Sequence, residues 1–321
     1  MSDLTVVMYH YVRPIAKSKY PSIKGLELDL FKEQVKFIKK NYNPVTIDEV
    51  YESFYNGHKL PPHAALMTFD DAYSDHFKYA YPVLKSHGMQ GCFYAPAKTI
   101  VEKEVLDVNK IHFILASCDN VSELLSNTKL LFDLFREGHE VKDFEEYFSE
   151  LAIANRFDTK EVIFIKRLLQ VALPEEMRKN ICRALFNTHV GATEEEFCDE
   201  LYMSQEQLSQ MSSDGMHIGS HGYNHYWWNK LDSETLNNEI DKSIAFLKAI
   251  GANTENLTAC YPYGSSSQEV TDILRGKGCK LAFTTAVDVA KTNINDPLLI
   301  PRLDTNDLPK DATANTNQWF R

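Results

Sequence analysis

The chain has 321 residues, of which 44% are hydrophobic and 25% charged, and its formal net charge is −11. These values are typical of one large globular domain, or of one domain that carries a sizeable insertion. The negative charge argues against nucleic acid, which needs clustered lysine and arginine, and gives no support for docking on an anionic membrane. No apolar stretch approaches the ~20 residues of a transmembrane helix.

The N-terminal sequence and the cysteines indicate where the protein is located. The first residues, MSDLTVVMYHYVRP, contain no basic segment followed by a long apolar core and a small-residue cleavage site. The six cysteines are far apart and form no CxxC pair, which favours reduced, buried thiols. We therefore predict a cytoplasmic protein.

Short apolar runs alternate with helical patterns, which predicts βα units around a mostly parallel sheet or barrel. The predicted strands, in chain order, are Leu4–Tyr9, Ala64–Phe69, Gly91–Tyr94, Met216–Ser220, Leu257–Tyr261, Lys280–Thr284 and Leu298–Leu303. Helical periodicity is clear in Asp29–Asn41 and Ser233–Ile250. Gly251 follows the second helix, at the position where a C-cap glycine is expected.

The stretch from Glu102 to Glu206 differs in composition from the rest of the chain. It is rich in Leu, Phe, Glu and Lys, has few glycines and contains no convincing strand. Residues 160–173 and 174–186 have helical patterns, and Pro174 suits a first turn. We predict that 102–206 is a helical insertion between the third and fourth core strands, and that 1–101 and 207–321 form the barrel.

Asp70 and Asp71 directly follow the second predicted strand. Two adjacent carboxylates repel each other and lose hydration at such a position, and a metal ion or a proton compensates one of them. An Asp-Asp pair also occurs in ordinary turns and helix N-caps. By itself the pair therefore does not identify a site.

His221 and His225 follow the fourth predicted strand and lie four residues apart. Imidazole nitrogens are good zinc ligands. The zinc-protease pattern HExxH is excluded because Gly222 occupies the glutamate position, and glycine disfavours helix. We predict that the two histidines lie on a loop after the strand. Taken alone, they are also consistent with two ordinary surface histidines.

Two further segments at strand ends contain groups that can take part in catalysis. Their position fits a barrel whose site lies where the strands end. Pro and Gly around Tyr263 form a tight loop that can present a backbone N–H to a ligand, or an ordinary turn. His10 is the first residue after the N-terminal strand. A histidine at a strand end can act as a general acid, although such residues are more often simply solvated.

In combination, these motifs resemble the polysaccharide deacetylases of carbohydrate esterase family 4, the NodB-homology group. Thr68-Phe69-Asp70-Asp71 matches the TFDD motif of that family, His221 and His225 match its HxxxH motif, and Tyr261-Pro262-Tyr263-Gly264 is similar to its PYG loop. The three motifs occur in the order of the family. The resemblance covers strands along the whole chain except the helical insertion.

The chain departs from the family pattern at three points. Ala72 replaces the glycine of TFDDG, and Cys260 stands where the third motif usually begins with an arginine, a charge that Arg302 is placed to supply. The last motif, LxLxH, is missing near the C-terminus, and the N-terminal Val6-x-Met8-x-His10 reproduces its pattern. This order resembles the circularly permuted branch that acts on poly-N-acetylglucosamine.

The resemblance implies an α/β fold, an irregular (β/α) barrel of the NodB type with about seven strands and a helical insertion. It also implies one divalent metal ion held by Asp71, His221 and His225. Zinc is the first choice, because two imidazoles and one carboxylate leave a position open for water. Nickel or cobalt fits the same ligands.

The resemblance further implies roles for the neighbouring residues. Asp70 acts as general base, Arg302 keeps it ionised and oriented, and His10 protonates the leaving amine. The backbone N–H of Tyr263 stabilises the oxyanion. Candidate residues for stacking on a sugar, each of which is equally suited to the core, are Tyr9, Tyr223 and Trp227.

The implied activity is removal of an N-acetyl or other N-acyl group from an amino sugar during polysaccharide or glycoconjugate synthesis. Because we predict a cytoplasmic protein, we expect its sugar substrate to be linked to a nucleotide or a lipid. Two other functions remain open: a metal-dependent hydrolase of a non-sugar amide or N-formyl group, and a catalytically weak carbohydrate-binding barrel. A third view is that the helical insertion serves as an interaction platform and the barrel as its scaffold.

Overall fold

The computed structural model describes residues 2–155 and 158–321. Its strands are β1 Asp3–Tyr9, β2 Val12–Arg13, β3 Leu26–Glu27, β4 Asn43–Pro44, β5 Ala64–Asp70, β6 Gly91–Ala95, β7 His217–Ser220, β8 Thr258–Cys260, β9 Leu281–Phe283, β10 Ala290–Lys291 and β11 Leu303–Asp304. Its α-helices are α1 Leu28–Asn41, α2 Ile47–Tyr55, α3 Tyr81–Ser86, α4 Ala97–Val101, α5 Asp107–Ala116, α6 Val121–Phe135, α7 Phe144–Leu151, α8 Lys160–Arg167, α9 Glu175–His189, α10 Glu194–Leu201, α11 Gln205–Ser213, α12 Ser233–Ala249 and α13 Gln268–Gly276.

The main sheet follows the order β10-β1-β5-β6-β7-β8-β9, with β11 paired to β1 and β4 paired to β5. The strands from β1 through β9 in this order are parallel, and β10 is antiparallel to β1. A parallel pair needs a crossover connection, which explains why helices separate most of these strands in the sequence. The predicted irregular barrel of about seven strands is confirmed.

Strands β5, β6, β7, β8 and β9 are buried on both faces, as expected for parallel strands covered by helices. Because successive side chains of a strand point to opposite faces, β1 contributes to two separate apolar clusters. Leu4 and Val6 belong to the cluster that also contains residues of α2, whereas Val7 and Tyr9 belong to the larger cluster that includes α1 and α12. The alternation thus fixes which residues of each strand point to the same side.

The last predicted strand, 298–303, is corrected by the structure. Strand geometry is limited to Leu303–Asp304, preceded by a single bridge between Ile300 and Phe283. Pro301 has no N–H to donate and interrupts the ladder at this point. Residues before the proline bond to β9, and Leu303 pairs with Val7 of β1. The segment therefore links the two ends of the parallel part of the sheet.

The two helices predicted most clearly are present, at Leu28–Asn41 and Ser233–Ala249. After the second helix Gly251 has φ +76°, and its N–H donates to the carbonyl of Lys248, while the N–H of Ala252 donates to that of Leu247. This is the hydrogen-bond pattern of a glycine-terminated helix. The predicted C-cap role of Gly251 is confirmed.

The described chain divides into two compact units. The first comprises 1–14, 25–103 and 199–321 and contains the main sheet; the second comprises 15–24 and 104–198. In the second unit, α5 and α6 pack against α9, and Tyr20 makes edge contacts with Phe113 and Phe197. The prediction that residues 102–206 form an insertion domain stays a prediction.

No helix among the described residues is both long enough and apolar enough to cross a membrane. The cytoplasmic location proposed from the N-terminal sequence stays a prediction.

Candidate active site

Strand alternation brings the predicted site residues to one side of the sheet. Asp70 has the same parity on β5 as Ala64 and Leu66, and His10 continues the parity of Leu4 and Val6 beyond β1. Since the strands are parallel and adjacent, these residues meet at the carboxyl end of the sheet. This is where α/β barrels assemble their sites.

Three ligand atoms converge at this end of the sheet. Nε2 of His221 lies 3.5 Å from Oδ1 of Asp71, Nε2 of His225 lies 3.4 Å from the same oxygen, and the two nitrogens are 3.2 Å apart. Ligands bound tetrahedrally to one ion at about 2.0–2.2 Å lie about 3.3–3.6 Å from one another. All three side chains are buried. The spacing therefore fits one small divalent ion.

The chemistry of the three groups also fits a metal ion. Oδ1 of Asp71 is buried and has no hydrogen-bond partner among the described residues. Burial lowers the pKa of His221 to about 4 and that of His225 to about 3, so both rings are neutral at pH 7 and are not cationic partners of the carboxylate. An unpaired carboxylate oxygen beside two neutral imidazoles is the donor set that a zinc-like cation satisfies.

Neighbouring groups hold the ring of His221 and the loop that carries both histidines. Nδ1 of His221 donates to the carbonyl of Cys260 at 2.9 Å, which leaves Nε2 with its lone pair toward the cluster. Between the histidines, the N–H groups of Tyr223 and Asn224 donate to the buried carboxylate of Glu239 on α12, at 3.3 and 2.9 Å. The loop after β7 is therefore held by the next helix.

Gly222 has φ +75°, and a Cβ atom there would lie 3.1 Å from Nε1 of Trp228. Its backbone conformation and the close approach of the indole both favour glycine. The histidines therefore lie on a loop, as predicted. Gly222 is one reason why they do.

Asp70 is fully buried and forms a two-pronged ion pair with Arg302. Nη1 of the arginine donates to Oδ1 at 2.9 Å, and Nη2 donates to Oδ2 at 2.8 Å. Burial by itself would raise the pKa of Asp70, but the adjacent guanidinium outweighs that effect and holds the pKa well below its usual range. Asp70 is therefore a carboxylate, placed beside the three candidate ligands.

Arg302 also contacts Cys260, the position where the family pattern has an arginine. Its Nη1 also lies 3.2 Å from Sγ of Cys260, and its Nε donates to the carbonyl of Thr284 at 2.9 Å. The guanidinium thus reaches Asp70 from the end of the chain, next to the residue where the family pattern has an arginine. The contact supports the role proposed for Arg302, which stays a proposal.

His10 lies at the rim of the site, and its side chain is 41% exposed. Its Nε2 is 4.0 Å from Oδ2 of Asp70, so the imidazole points toward the carboxylates. The carbonyl oxygen of His10 accepts a hydrogen bond of 2.8 Å from Nε2 of the buried His76. His10 is therefore positioned through its backbone, while its ring remains accessible.

Two aromatic rings form one wall of the site. The ring of Tyr263 meets that of His225 edge to face at 4.7 Å, and the indole of Trp227 stacks on Tyr263 at 4.4 Å and 3°. Tyr263 has φ 57° in the single turn Pro262–Gly264. Trp227 is partly exposed, so its place beside the site agrees with the predicted substrate contact.

The structure corrects the other two proposed substrate contacts. Tyr9 is fully buried, stacks on Phe69 at 4.8 Å and donates its hydroxyl to Gln34 at 2.9 Å. Tyr223 is 9% exposed; its hydroxyl donates to Glu102, and the ammonium of Lys242 lies over its ring. Neither ring has a face available for a sugar, so both are structural residues.

Backbone geometry also marks this site. Non-glycine residues with positive φ at the site are Asp71 (74°), Ala72 (52°), His225 (59°) and Tyr263 (57°). Such conformations cost roughly 1–3 kcal/mol each and concentrate where function requires them. The value at Ala72 explains why the family pattern has glycine there.

Sequence reasoning missed two buried residues near the site. Tyr73 donates its hydroxyl to Oδ2 of Asp71 at 2.7 Å, and His76 holds the carbonyl of His10. Both come from the loop and helical turn after β5. The only sequence signal was proximity to the Asp-Asp pair, because no spacing rule reveals which side chain turns back toward it.

Comparison with known proteins supports the resemblance that the motifs indicate. The sequence model of the polysaccharide deacetylase family matches residues 172–282, which include His221, His225 and Tyr263. YxkH of Bacillus subtilis, a polysaccharide deacetylase by name, is 30% identical over 106 residues, covering 33% of this chain and 36% of that protein. This chain resembles the polysaccharide deacetylase family. The match thus spans little more than a third of the length of the curated relative.

Solved structures resemble this chain over nearly its whole length. The deacetylase PplD of Streptococcus pyogenes, in complex with acetate, has a TM-score of 0.59 at 16% identity and covers 94% of this chain and 92% of its own. IcaB from Ammonifex degensii has a TM-score of 0.55 at 18% identity, covering 95% and 92%. These likenesses establish a shared fold.

The strand pairing of this chain agrees with the circularly permuted arrangement predicted from the motifs. The N-terminal strand β1, which ends before His10, lies directly beside β5, which ends in Asp70. Residues 303–304 at the opposite end of the chain also pair with β1. A strand that the family usually places last is therefore first in this chain, at the same position in the barrel.

Proposed function

We propose that this protein is a metal-dependent deacetylase that hydrolyses the N-acetyl amide of an amino sugar in a polysaccharide or glycoconjugate. One observation carries the proposal: Asp71, His221 and His225 converge beside a buried, ionised Asp70 that is paired with Arg302. A buried carboxylate cluster with a bare oxygen is costly to fold unless a ligand compensates it. Such clusters are typical of catalytic sites.

Asp71, His221 and His225 would hold the ion, and zinc is our first choice, with nickel or cobalt fitting the same ligands. The ion would supply Lewis acidity toward the acyl oxygen and increase the acidity of water. Every other task falls to the protein's own side chains and backbone.

Asp70 is the general base in this proposal. It takes a proton from the water whose oxygen attacks the acetyl carbon. Arg302 binds both carboxylate oxygens and keeps them oriented. Because Asp70 is fully buried, its proton transfer occurs away from bulk water. A positioned base typically contributes about 10²–10⁴-fold to the rate.

His10 is the general acid. As the C–N bond breaks, the electron pair moves to nitrogen, and the imidazole gives that nitrogen a proton so that it leaves as an amine. The accessible ring and the 4.0 Å approach to Asp70 support this role. The backbone N–H of Tyr263 donates to the acyl oxygen as negative charge develops on it. Trp227 forms the wall against which a sugar ring packs.

The group to which the sugar is attached depends on where the protein is located, and the cytoplasmic location is itself a proposal. A cytoplasmic deacetylase would act on a nucleotide-linked or lipid-linked substrate.

The experiment is a mass-spectrometric screen for loss of acetyl from N-acetylated oligosaccharides and sugar nucleotides, with protein reconstituted separately with zinc, cobalt and nickel. We expect release of acetate and appearance of a free amine on at least one glycan, abolished in the double variant His221→Ala/His225→Ala. A non-sugar amide or N-formyl panel run in parallel tests the other hydrolase. Turnover confined to that panel would overturn the sugar assignment.

A further inference from the structure

The two oxygens of Asp71 have different environments. Oδ1 faces Nε2 of His221 and Nε2 of His225, and Oδ2 accepts the hydroxyl of Tyr73 at 2.7 Å. The carboxylate is buried, so water does not compete freely for either oxygen. Oδ1 thus faces the two imidazoles, and Oδ2 is bound by the phenol of Tyr73.

We propose that Tyr73 is a positioning residue for the metal site: its hydroxyl holds Asp71 so that only Oδ1 is directed at the ion. This inference rests on the metal site proposed above. A phenol is both a donor and a compact dipole, and ligating carboxylates are commonly fixed by such outer hydrogen bonds. Without it, the carboxylate can rotate and present both oxygens.

The orientation of Asp71 would determine how many coordination positions around the ion stay open. A carboxylate that binds through one oxygen, with two imidazoles, makes a three-ligand set and leaves room for water and substrate. A carboxylate that binds through both oxygens takes up part of that room. Tyr73 therefore affects both how tightly the ion is held and how many positions the protein occupies.

The surroundings of Tyr73 leave its ring little freedom. The ring is fully buried and stacks on Tyr11 at 4.1 Å and on Tyr202 at 6.1 Å. The backbone around it is also tied to residues 200–203: Tyr73 forms a bridge with Tyr202, and the N–H of Met203 donates to the carbonyl of Ala72 at 2.9 Å. The direction of the hydroxyl is therefore set by packing.

This packing matters because the ligand itself has an unusual backbone. Asp71 has φ 74° and Ala72 has φ 52°, conformations that a non-glycine residue keeps only when its surroundings impose them. The contacts of Tyr73 and Met203 are the restraints next to these two residues. Tyr73 thus acts on the side chain of Asp71 directly and on its backbone through the stack.

The test is the metal affinity of Tyr73→Phe, measured on the full-length protein by competition with a chromophoric chelator for Zn²⁺ and Co²⁺. The phenyl ring keeps the stack and removes only the hydroxyl, so we expect about 10–100-fold weaker binding. The visible spectrum of the Co²⁺ form should also shift, because the carboxylate changes its binding mode. Tyr202→Phe, which removes a hydroxyl from the same stack, should bind as wild type does.

Three results separate the possible failures. Wild-type affinity together with a wild-type Co²⁺ spectrum in Tyr73→Phe would overturn the role of Tyr73. Equal loss in Tyr202→Phe would also overturn it, because the stack and not the hydroxyl would then be responsible. Unchanged binding in Asp71→Asn would instead refute the proposed metal site. Circular dichroism of each metal-free protein shows whether the fold is kept, and a Tyr73→Phe protein that loses its fold is replaced in the same assay by Tyr73→Met, whose flexible side chain fills the space without supplying a donor.

Discussion

Asp70 and Asp71 are neighbours in sequence, yet their side chains meet different partners. Asp70 continues the inward parity of β5 and meets a guanidinium, whereas Asp71 leaves the strand at positive φ and meets two imidazoles and a phenol. The electrostatic repulsion expected between adjacent carboxylates is thus relieved by separate partners. At the residue scale, these different partners predict that Asp70 and Asp71 have different functions, which single substitutions can separate.

The first prediction concerns Asp70→Asn. The amide has nearly the same shape but cannot accept a proton from water, so turnover should fall by about 10²–10⁴-fold. Metal content should remain that of the wild type, because Asp70 is not among the three converging ligands. Steady-state kinetics and elemental analysis on the same preparation check both parts. Wild-type turnover would show that the two aspartates have been assigned the wrong roles.

The second prediction concerns His10→Ala. The ring is accessible at the rim of the site, so its removal should leave fold and metal content intact. Turnover should fall, and the fall should be smallest for substrates with a good leaving group, which need little protonation. An acetanilide series with leaving groups of graded acidity provides the measurement. An equal loss across the series would contradict the general-acid role.

The residues of the site were predictable from sequence to the extent that a motif fixes them. Asp71, His221 and His225 were proposed as ligands because they match the motifs of the deacetylase family; their ligand atoms lie close together, and their role as metal ligands stays a proposal. Tyr9 and Tyr223 were misassigned, because an aromatic residue near a motif can turn into the core or toward solvent, and only packing decides between the two.

At the scale of elements, the segment before β11 shows where pattern reasoning fails. An apolar run at 298–303 resembles a buried strand, yet Pro301 cannot donate to a ladder. The chain bonds briefly to β9 and then crosses to β1. This irregular path of the chain brings Arg302 to Asp70. Pro301, which made the strand prediction wrong, is thus the neighbour of a residue of the site.

The third prediction concerns the turn after β8. Gly264 has φ +70°, and a Cβ atom there would collide with the side chain of Thr285. Gly264→Ala should therefore destabilise the protein by roughly 2–5 kcal/mol, the sum of backbone strain and overpacking. It should also reduce turnover, because the adjacent Tyr263 would move. Urea unfolding and kinetics provide the measurements.

Gly276→Ala is the matched control. This glycine ends α13, has no neighbour within 4 Å of a built Cβ and does not have positive φ. Alanine there should change the free energy of unfolding by less than about 1 kcal/mol, toward greater stability. A similar loss in both variants would indicate a general intolerance of alanine, and the account of the turn would be wrong.

At the scale of the whole molecule, the parallel barrel and its permuted first strand were predictable. Alternating βα patterns and the order of the motifs dictate them, and sheet pairing between β1 and β5 agrees. The insertion predicted at 102–206 stays a prediction. Residues 15–24 join the second compact unit, although nothing in their composition separates them from the barrel sequence around them. Such long-range association depends on packing that no local pattern encodes.

The central claim is that one divalent ion is held by Asp71, His221 and His225. The most direct measurement is elemental analysis of the purified, reconstituted protein beside the variants Asp71→Asn and His221→Ala/His225→Ala. We predict one ion per chain in the wild type and almost none in either variant, with deacetylation lost in parallel. Full occupancy in the double histidine variant would contradict the assignment.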